Sequence, residues 1–154
     1  MIRRLNKFIQ SFIVALLALM VAVVSWQVLS RYAFSAPSAW TEEVARIILV
    51  WLGFLGAAYA HAEKAHLGID LLEQSLTVKS RQLLAALVNI IGIVFATTVL
   101  IVGGGLLVHL TWELRQTTAV LGVPMAYVYA VIPVSGLIIS LNSFLFITEG
   151  ERPA

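Results

Sequence analysis

The chain has 154 residues, of which 60% are hydrophobic and 12% charged, and its mean hydropathy is +0.96. Soluble domains are about half apolar and a quarter charged, so this composition indicates an integral membrane protein, with one transmembrane domain over residues 1–154 because no hydrophilic stretch could bury its own core. The lack of cysteine excludes disulfide, thiol and iron–sulfur chemistry, and a dispersed net charge of +2 argues against a nucleic-acid partner.

Four apolar runs are long enough to cross a bilayer as helices. They cover residues 8–29, 44–62, 83–110 and 125–147. At 1.5 Å per residue the first is about 33 Å long, the second about 28 Å and the third about 42 Å, against a hydrocarbon core of about 30 Å. The sequence therefore predicts an all-α integral membrane protein with four transmembrane helices, the third of which is tilted or protrudes.

The first run also has features of a signal peptide. Arg3, Arg4 and Lys7 form a basic head before it, and residues 35–39 after it are mostly small. The apolar part of a signal peptide is about 7–15 residues long, however, and this run exceeds that length. We expect it to be retained as a spanning helix.

Glycine and proline positions suggest how the helices pack. Gly53 and Gly56 in the second run are spaced so that another helix backbone could approach closely. The glycine triplet 103–105 is either a weak point or a packing notch in the third run. Pro124 suits the start of the fourth helix, where a missing N–H costs nothing, whereas Pro133 should kink that helix.

A short amphipathic stretch lies between the second and third runs. Ile69, Leu72 and Leu76 recur at helical spacing, while Glu73 and Lys79 point elsewhere on the same helix. This pattern predicts a short interfacial helix that lies in the headgroup layer.

Basic residues are distributed unequally between the two sides of the predicted spans. One side has seven of the ten: Arg3, Arg4, Lys7, Lys64, Lys79, Arg81 and Arg152. The other side has three: Arg31, Arg46 and Arg115. Because cytoplasmic loops carry the excess of Lys and Arg, we expect both termini in the cytoplasm.

The three histidines raise the possibility of a haem- or quinone-binding anchor of a redox complex. Four-helix membrane anchors can hold haem between two axial histidines. His61 and His66 lie at the cytoplasmic end of the second run, and His109 lies near the outer end of the third. A bilayer separates these positions, so we expect solvated or interfacial histidines and keep the redox anchor as an alternative.

A free-standing exporter is a further four-helix possibility. Such a protein needs an ionisable group deep in a span to couple protons to its substrate. Every Asp, Glu, Lys and Arg here lies at or beyond a predicted helix end, and the interiors hold neutral polar residues such as Asn89 and Asn142. These residues more often form hydrogen bonds between helices than bind a solute. We expect no enzyme and no transport by this chain alone.

The densest group of polar and aromatic residues surrounds the start of the second run and includes Trp40, Glu42, Glu43, Arg46 and Trp51. Ser38 or Thr41 can cap the helix, and Glu42 and Glu43 complement the positive end of its dipole. Glu42 and Arg46 form an i,i+4 pair, and Trp40 suits the headgroup layer. The group reads either as a well-anchored helix start or as that plus a protein-docking site.

Several of these segments resemble one protein family. They are WTEEVAR at residues 40–46, VWLGFLGAA at 50–58, HLGIDLL at 66–72, LGVPM at 121–125 and AVIPVSG at 130–136. In this order they resemble the small membrane subunit of TRAP transporters, the tripartite ATP-independent periplasmic transporters of bacteria and archaea. The resemblance extends over the whole four-helix chain.

The resemblance implies a division of labour in the bacterial inner membrane. A periplasmic solute-binding protein captures an organic acid, and a large membrane subunit carries the transport path and the sodium sites. The small subunit packs beside the large one as a scaffold in the lipid and needs no cofactor of its own. The candidate interface or helix-anchoring residues are Trp40, Glu42, Glu43, Arg46, Trp51, Gly53, Gly56, His66, Asp70 and Pro124.

Overall fold

The computed structural model describes residues 2–33, 38–63 and 78–149. Its helical elements, in chain order, are α1 (Ile2–Tyr32), α2 (Ala39–Ala62), α3 (Val78–Phe95), a π-helical segment (Ala96–Gly103), α4 (Gly104–Glu113), α5 (Met125–Tyr129) and α6 (Val131–Glu149). The third span is thus α3, the π-helical segment and α4 in succession, and the fourth is α5 followed by α6.

Four helical stretches in the described residues are long and apolar enough to cross a membrane: Leu5–Tyr32, Ala39–Ala62, Leu87–Glu113 and Met125–Ile147. They coincide with the four predicted runs, so the prediction of an all-α fold with four transmembrane helices is confirmed. The second helix begins at Ala39 rather than at residue 44, because the polar residues there belong to its first turn. The predicted interfacial helix lies outside the described residues.

The first helix packs chiefly against the second, and together they form a hairpin. Ile9 and Val23 are the buried apolar side chains of α1, while most of its other large apolar side chains are exposed. Phe12 meets Trp51 edge to face, with the ring centroids 6.4 Å apart. Because exposed apolar side chains suit a hydrocarbon surrounding, α1 presents most of its surface to lipid or to another protein.

The buried core lies where α2, the π-helical segment and α6 meet. Ala58, Ala96, Leu100 and Ile139 form a cluster of buried side chains there. Two of the four are alanines, so the helices approach closely and gain dispersion contacts rather than filling space with large side chains. Small residues at a helix contact are typical of membrane bundles, where lipid is as apolar as the core itself.

Two glycines permit this close approach. A Cβ built on Gly136 would lie 2.8 Å from Leu100 Cβ and 3.1 Å from the backbone oxygen of Ala96. A Cβ on Gly104 would lie 2.7 Å from Ile132 Cγ2. The predicted packing notch therefore belongs to the middle glycine of the triplet, since its two neighbours have no such contact within 3.4 Å.

The third span changes its helical winding at residue 96. From Ala96 to Gly103 the backbone is π-helical, and the N–H of Gly104 faces the carbonyl of Val99, five residues earlier. Such segments are rare, and a wider turn rotates the side chains that follow it relative to those that precede it. The buried faces of α3 and α4 therefore do not lie on one continuous stripe of a regular α-helix.

The fourth span is interrupted where Pro133 predicts a distortion. Helix α5 ends at Tyr129, a turn occurs at Ala130, and α6 begins at Val131. A proline ring clashes with the carbonyl four residues before it, which here belongs to Tyr129. The next hydrogen bond, from Val134 N–H to the carbonyl of Ala130, is long at 3.4 Å.

A polar contact joins α2 to α6 at the end of the bundle opposite the loop of residues 114–124. His61 Nε2 lies 2.6 Å from Ser143 Oγ, and a Cβ on Gly92 would lie 3.3 Å from His61 Cε1. The expectation of a solvated or interfacial His61 is wrong, because this half-buried ring packs between the second, third and fourth spans.

We expect Gly136→Ala to destabilise the protein by about 1–3 kcal/mol, because the added methyl group overpacks the contact with the π-helical segment. Gly105→Ala is the matched control, since no atom lies within 4 Å of a Cβ there. Thermal unfolding of the two variants in one detergent measures the difference. Equal unfolding temperatures would contradict the close approach at Gly136.

Candidate functional site at the loop end of the bundle

The loop end of the bundle, defined by residues 38–46 and 114–124, brings together five predicted site residues. Trp40, Glu42, Glu43 and Arg46 lie on the first two turns of α2, and Pro124 precedes α5. Trp51, Gly53 and Gly56 lie further along α2, whereas His66 and Asp70 are outside the described residues. The loop end is therefore where the sequence and the structure together place a candidate site.

Hydroxyl groups join the ends of α1 and α2 instead of capping α2. Ser38 is the N-cap residue, but its side chain makes no capping hydrogen bond. Its Oγ lies 3.1 Å from Ser30 Oγ and 2.9 Å from Thr41 Oγ1, and the Thr41 hydroxyl donates to the Ser38 carbonyl at 2.6 Å. Ser30 donates to the carbonyl of Gln27, so every hydroxyl proton has an acceptor. The predicted side-chain cap is replaced by a clamp between two helices.

Glu42 and Arg46 form the predicted i,i+4 ion pair at the surface. Arg46 Nη2 lies 3.1 Å from Glu42 Oε1, and the side chains are 71% and 63% exposed, respectively. Exposed pairs at this helical spacing contribute about 0.3–0.5 kcal/mol. The pair therefore adds little to stability, and both charges remain accessible to another molecule.

Glu43, the next residue, makes a different contact. Its side chain is turned toward the loop, and Oε2 accepts hydrogen bonds from the N–H groups of Val120 at 3.0 Å and Leu121 at 2.8 Å. Glu43 is buried at 9% exposure. The sequence predicts a carboxylate that complements the dipole of its own helix, whereas the structure has one that fastens a loop 77 residues away.

The loop has the internal bonds that hold its amides in place. Thr118 N–H donates to the carbonyl of Val123, and Val123 N–H donates to Thr118 Oγ1. Gly122 has a φ of +66°, a conformation that a glycine adopts at little cost. Met125 N–H donates to the carbonyl of Gln116, which closes the loop at the start of α5. Two successive amides therefore point at one carboxylate, as in an anion-binding nest.

A cleft of about 600 Å³ lies between this loop and α2. We call it the loop-end cleft. Glu42, Arg46, Gln116 and Thr117 line it together with apolar side chains of α2 and α5. Its volume falls within the range of small-ligand pockets in proteins, about 300–1,000 Å³.

The other predicted residues on α2 have separate surroundings. Trp51 packs against Phe12 of α1 and so anchors the hairpin within the chain. No described atom outside α2's own turns lies within 4 Å of a Cβ on Gly53 or Gly56. The helix that these glycines are spaced to receive is therefore not among the described helices of this chain.

The loop amides, Thr41 and Ser30 are the functional groups that sequence reasoning missed. Their partners are far away along the chain or are backbone groups, which carry no side-chain signal. The combination of Gly122 and Pro124 was the available indication of an ordered turn, since these residues favour turn conformations. The contact with Glu43 leaves no such trace in the sequence.

We expect Glu43→Ala to release the loop, because the amides of Val120 and Leu121 lose their acceptor. Hydrogen exchange in peptides covering residues 116–124 should become roughly tenfold faster or more, the scale of one charge-assisted hydrogen bond. Glu43→Gln keeps one acceptor oxygen and should have a smaller effect. Glu42→Gln, at the exposed neighbour, is the control and should exchange like the wild type. Unchanged exchange in Glu43→Ala would contradict the fastening role.

Known proteins resemble this chain over most of its length. A small permease of a TRAP transporter from Haemophilus influenzae is 25% identical over 154 residues, which is 96% of this chain and 94% of that protein. The sialic acid TRAP transporter small permease protein SiaQ of Vibrio cholerae is 30% identical over 104 residues, covering 67% of this chain and 60% of the relative.

A third relative is much longer than this chain. The isethionate TRAP transporter permease protein DctMQ of Oleidesulfovibrio alaskensis is 29% identical over 135 residues, which is 83% of this chain but 21% of that protein. A small permease and a large permease are thus joined in one polypeptide there, which shows that the two kinds of subunit pair.

The family described as "Tripartite ATP-independent periplasmic transporters, DctQ component" matches residues 20–152. That match covers the second to fourth spans and the loop end, including Glu43 and the loop it fastens. A transport subunit of this family is not an enzyme, and a redox anchor is not favoured. The chain belongs to the DctQ component family, the small permeases of TRAP transporters.

Proposed function

We propose that this chain is the non-catalytic small subunit of a sodium-coupled, solute-receptor-dependent secondary transporter for organic acids, and that it acts as a scaffold for the large membrane subunit. One observation supports this most. The ionisable side chains of the described spans lie near helix ends, and Asn142, which is buried, donates to the carbonyl of Ile138 in its own helix. Polar groups that serve internal packing leave none arranged to carry an ion or a solute.

The transported solute is, in this proposal, an organic acid. Two relatives carry the names of their substrates, sialic acid and isethionate, and both compounds are organic anions. The path and the sodium sites belong to the large subunit, and this chain holds no cofactor. A periplasmic solute-binding protein delivers the acid, and the ordered loop end is the surface of this chain suited to meet it.

The scaffold role assigns a surface to the large subunit. The face of α2 that carries Gly53 and Gly56 has open space next to it, and Leu49 on the same side is exposed. Small residues let a helix from another subunit approach this closely, so dispersion contacts replace the missing hydrophobic driving force in lipid.

The proposed location is the bacterial inner membrane, where this single transmembrane domain has both termini in the cytoplasm and its loop end in the periplasm. The unequal distribution of Lys and Arg supports this orientation. Exposed aromatic side chains at the loop end, among them Tyr32, Trp40, Trp112 and Tyr127, suit the headgroup layer there.

Single cysteines in this cysteine-free chain test the orientation. We expect Ala119→Cys in the loop to react with a membrane-impermeant thiol reagent in intact spheroplasts, because the loop faces the periplasm. Glu63→Cys, exposed at the opposite end of α2, should react only after the membrane is permeabilised. The reverse pattern would contradict the proposed orientation.

Enlarging the glycine face tests the scaffold role. We expect Gly53→Leu to reduce recovery of the large subunit in a pull-down, because the leucine occupies space that the partner helix needs. Gly105→Leu is the matched control, since that position also has open space but lies on the third span.

Transport should fall only in proportion to the complex recovered, because a scaffold contributes assembly rather than chemistry. Transport measured per complex in proteoliposomes separates the two effects. A Gly53→Leu complex that forms normally yet loses sodium coupling would contradict the proposal.

A further inference from the structure

We propose that the loop-end cleft is a binding site for a phospholipid with a zwitterionic headgroup of the phosphatidylethanolamine class. The cleft lies between α2, the loop of residues 114–124 and α5. Its position, its change of polarity with depth and its charges each constrain what can occupy it.

The cleft extends from the headgroup layer into the hydrocarbon. Along α2 its lining runs from Ala39 to Val50, a distance of about 16 Å at 1.5 Å per residue. Trp40, 45% exposed, stands beside the mouth. Tryptophan is enriched at membrane interfaces, so the mouth lies at headgroup level and the inner part of the cleft lies below it.

The lining changes from polar to apolar over that distance. At the mouth it is formed by Glu42 and Arg46 of α2 with Gln116 and Thr117 of the loop. Further in, Val50 of α2 faces the side of the cleft formed by α5. A polar mouth above an apolar wall is complementary to an amphiphile whose headgroup stays at the surface while a chain extends inward.

The charges at the mouth distinguish one headgroup class from another. Glu42 and Arg46 lie side by side, 3.1 Å apart and largely exposed. Glu43 also lines the cleft, but its carboxylate is already bound by the amides of Val120 and Leu121. A headgroup with a phosphate for Arg46 and an ammonium for Glu42 satisfies both charges, whereas a purely anionic headgroup meets Glu42 with like charge.

The fastened loop gives this site a fixed wall. Because Glu43 holds the loop against α2, the mouth keeps its shape without a bound lipid, and binding orders little of the protein. Preorganisation of this kind improves affinity by reducing what must be ordered on binding.

The first measurement is native mass spectrometry of the full chain in detergent with phosphatidylethanolamine and phosphatidylglycerol of identical acyl chains. We expect the wild type to retain more phosphatidylethanolamine. Arg46→Gln should reduce binding of both lipids by roughly fivefold, the effect of one basic side chain on a phosphate-bearing surface. Glu42→Gln should remove the preference between them, and Arg31→Gln, at an exposed arginine that does not line the cleft, should change nothing.

The second measurement locates the lipid directly. A phosphatidylethanolamine with a photoreactive group in its acyl chain should label peptides that contain Val50 or Val128. Equal lipid retention by Arg46→Gln and Arg31→Gln, or labelling spread evenly along α1 and α2, would mean annular lipid only and overturn the proposal. Protection of the cleft by the large subunit in a delipidated complex would also overturn it, since a protein would then be the occupant.

Discussion

The scarcity of water within a bilayer constrains nearly every polar group of this molecule. A buried N–H, carbonyl or hydroxyl in the hydrocarbon must find its partner inside the protein, because the solvent offers none. Ser30 and Thr41 each donate to a backbone carbonyl, and His61 meets Ser143 across two helices. Glu43, the most demanding group, receives two amides at once. The loop end is ordered because a carboxylate near the membrane needs it to be.

The spans were predictable because a bilayer filters sequences by length and hydropathy, two properties that can be read without knowing any contact. The fourth run matches its helix from residue 125 to residue 147, and the break before Pro133 follows from the geometry of one ring. The π-helical winding from Ala96 was not predictable, because it depends on how the third span fits against Gly136 and the rest of α6. Local residues there are ordinary apolar ones.

The charged group at the start of α2 shows the same limit within the site. Sequence spacing correctly paired Glu42 with Arg46, because that contact lies within one helix. It could not separate Glu42 from Glu43, whose side chains differ in burial only because one of them faces a loop from another part of the chain. Adjacent residues of the same type therefore have different duties: Glu43 holds the protein together, whereas Glu42 stays available at the surface.

The distance in sequence between Glu43 and its partners has a consequence for biosynthesis. The ribosome makes Glu43 77 residues before Val120, so the hairpin of α1 and α2 is complete well before the amides that receive the carboxylate exist. A nascent chain that stops short of the loop has nothing inside itself to satisfy this group and must leave it hydrated at the membrane surface. The order of synthesis thus makes the outer end of α2 the last part of the second span to settle, and makes the loop the signal that the chain is finished.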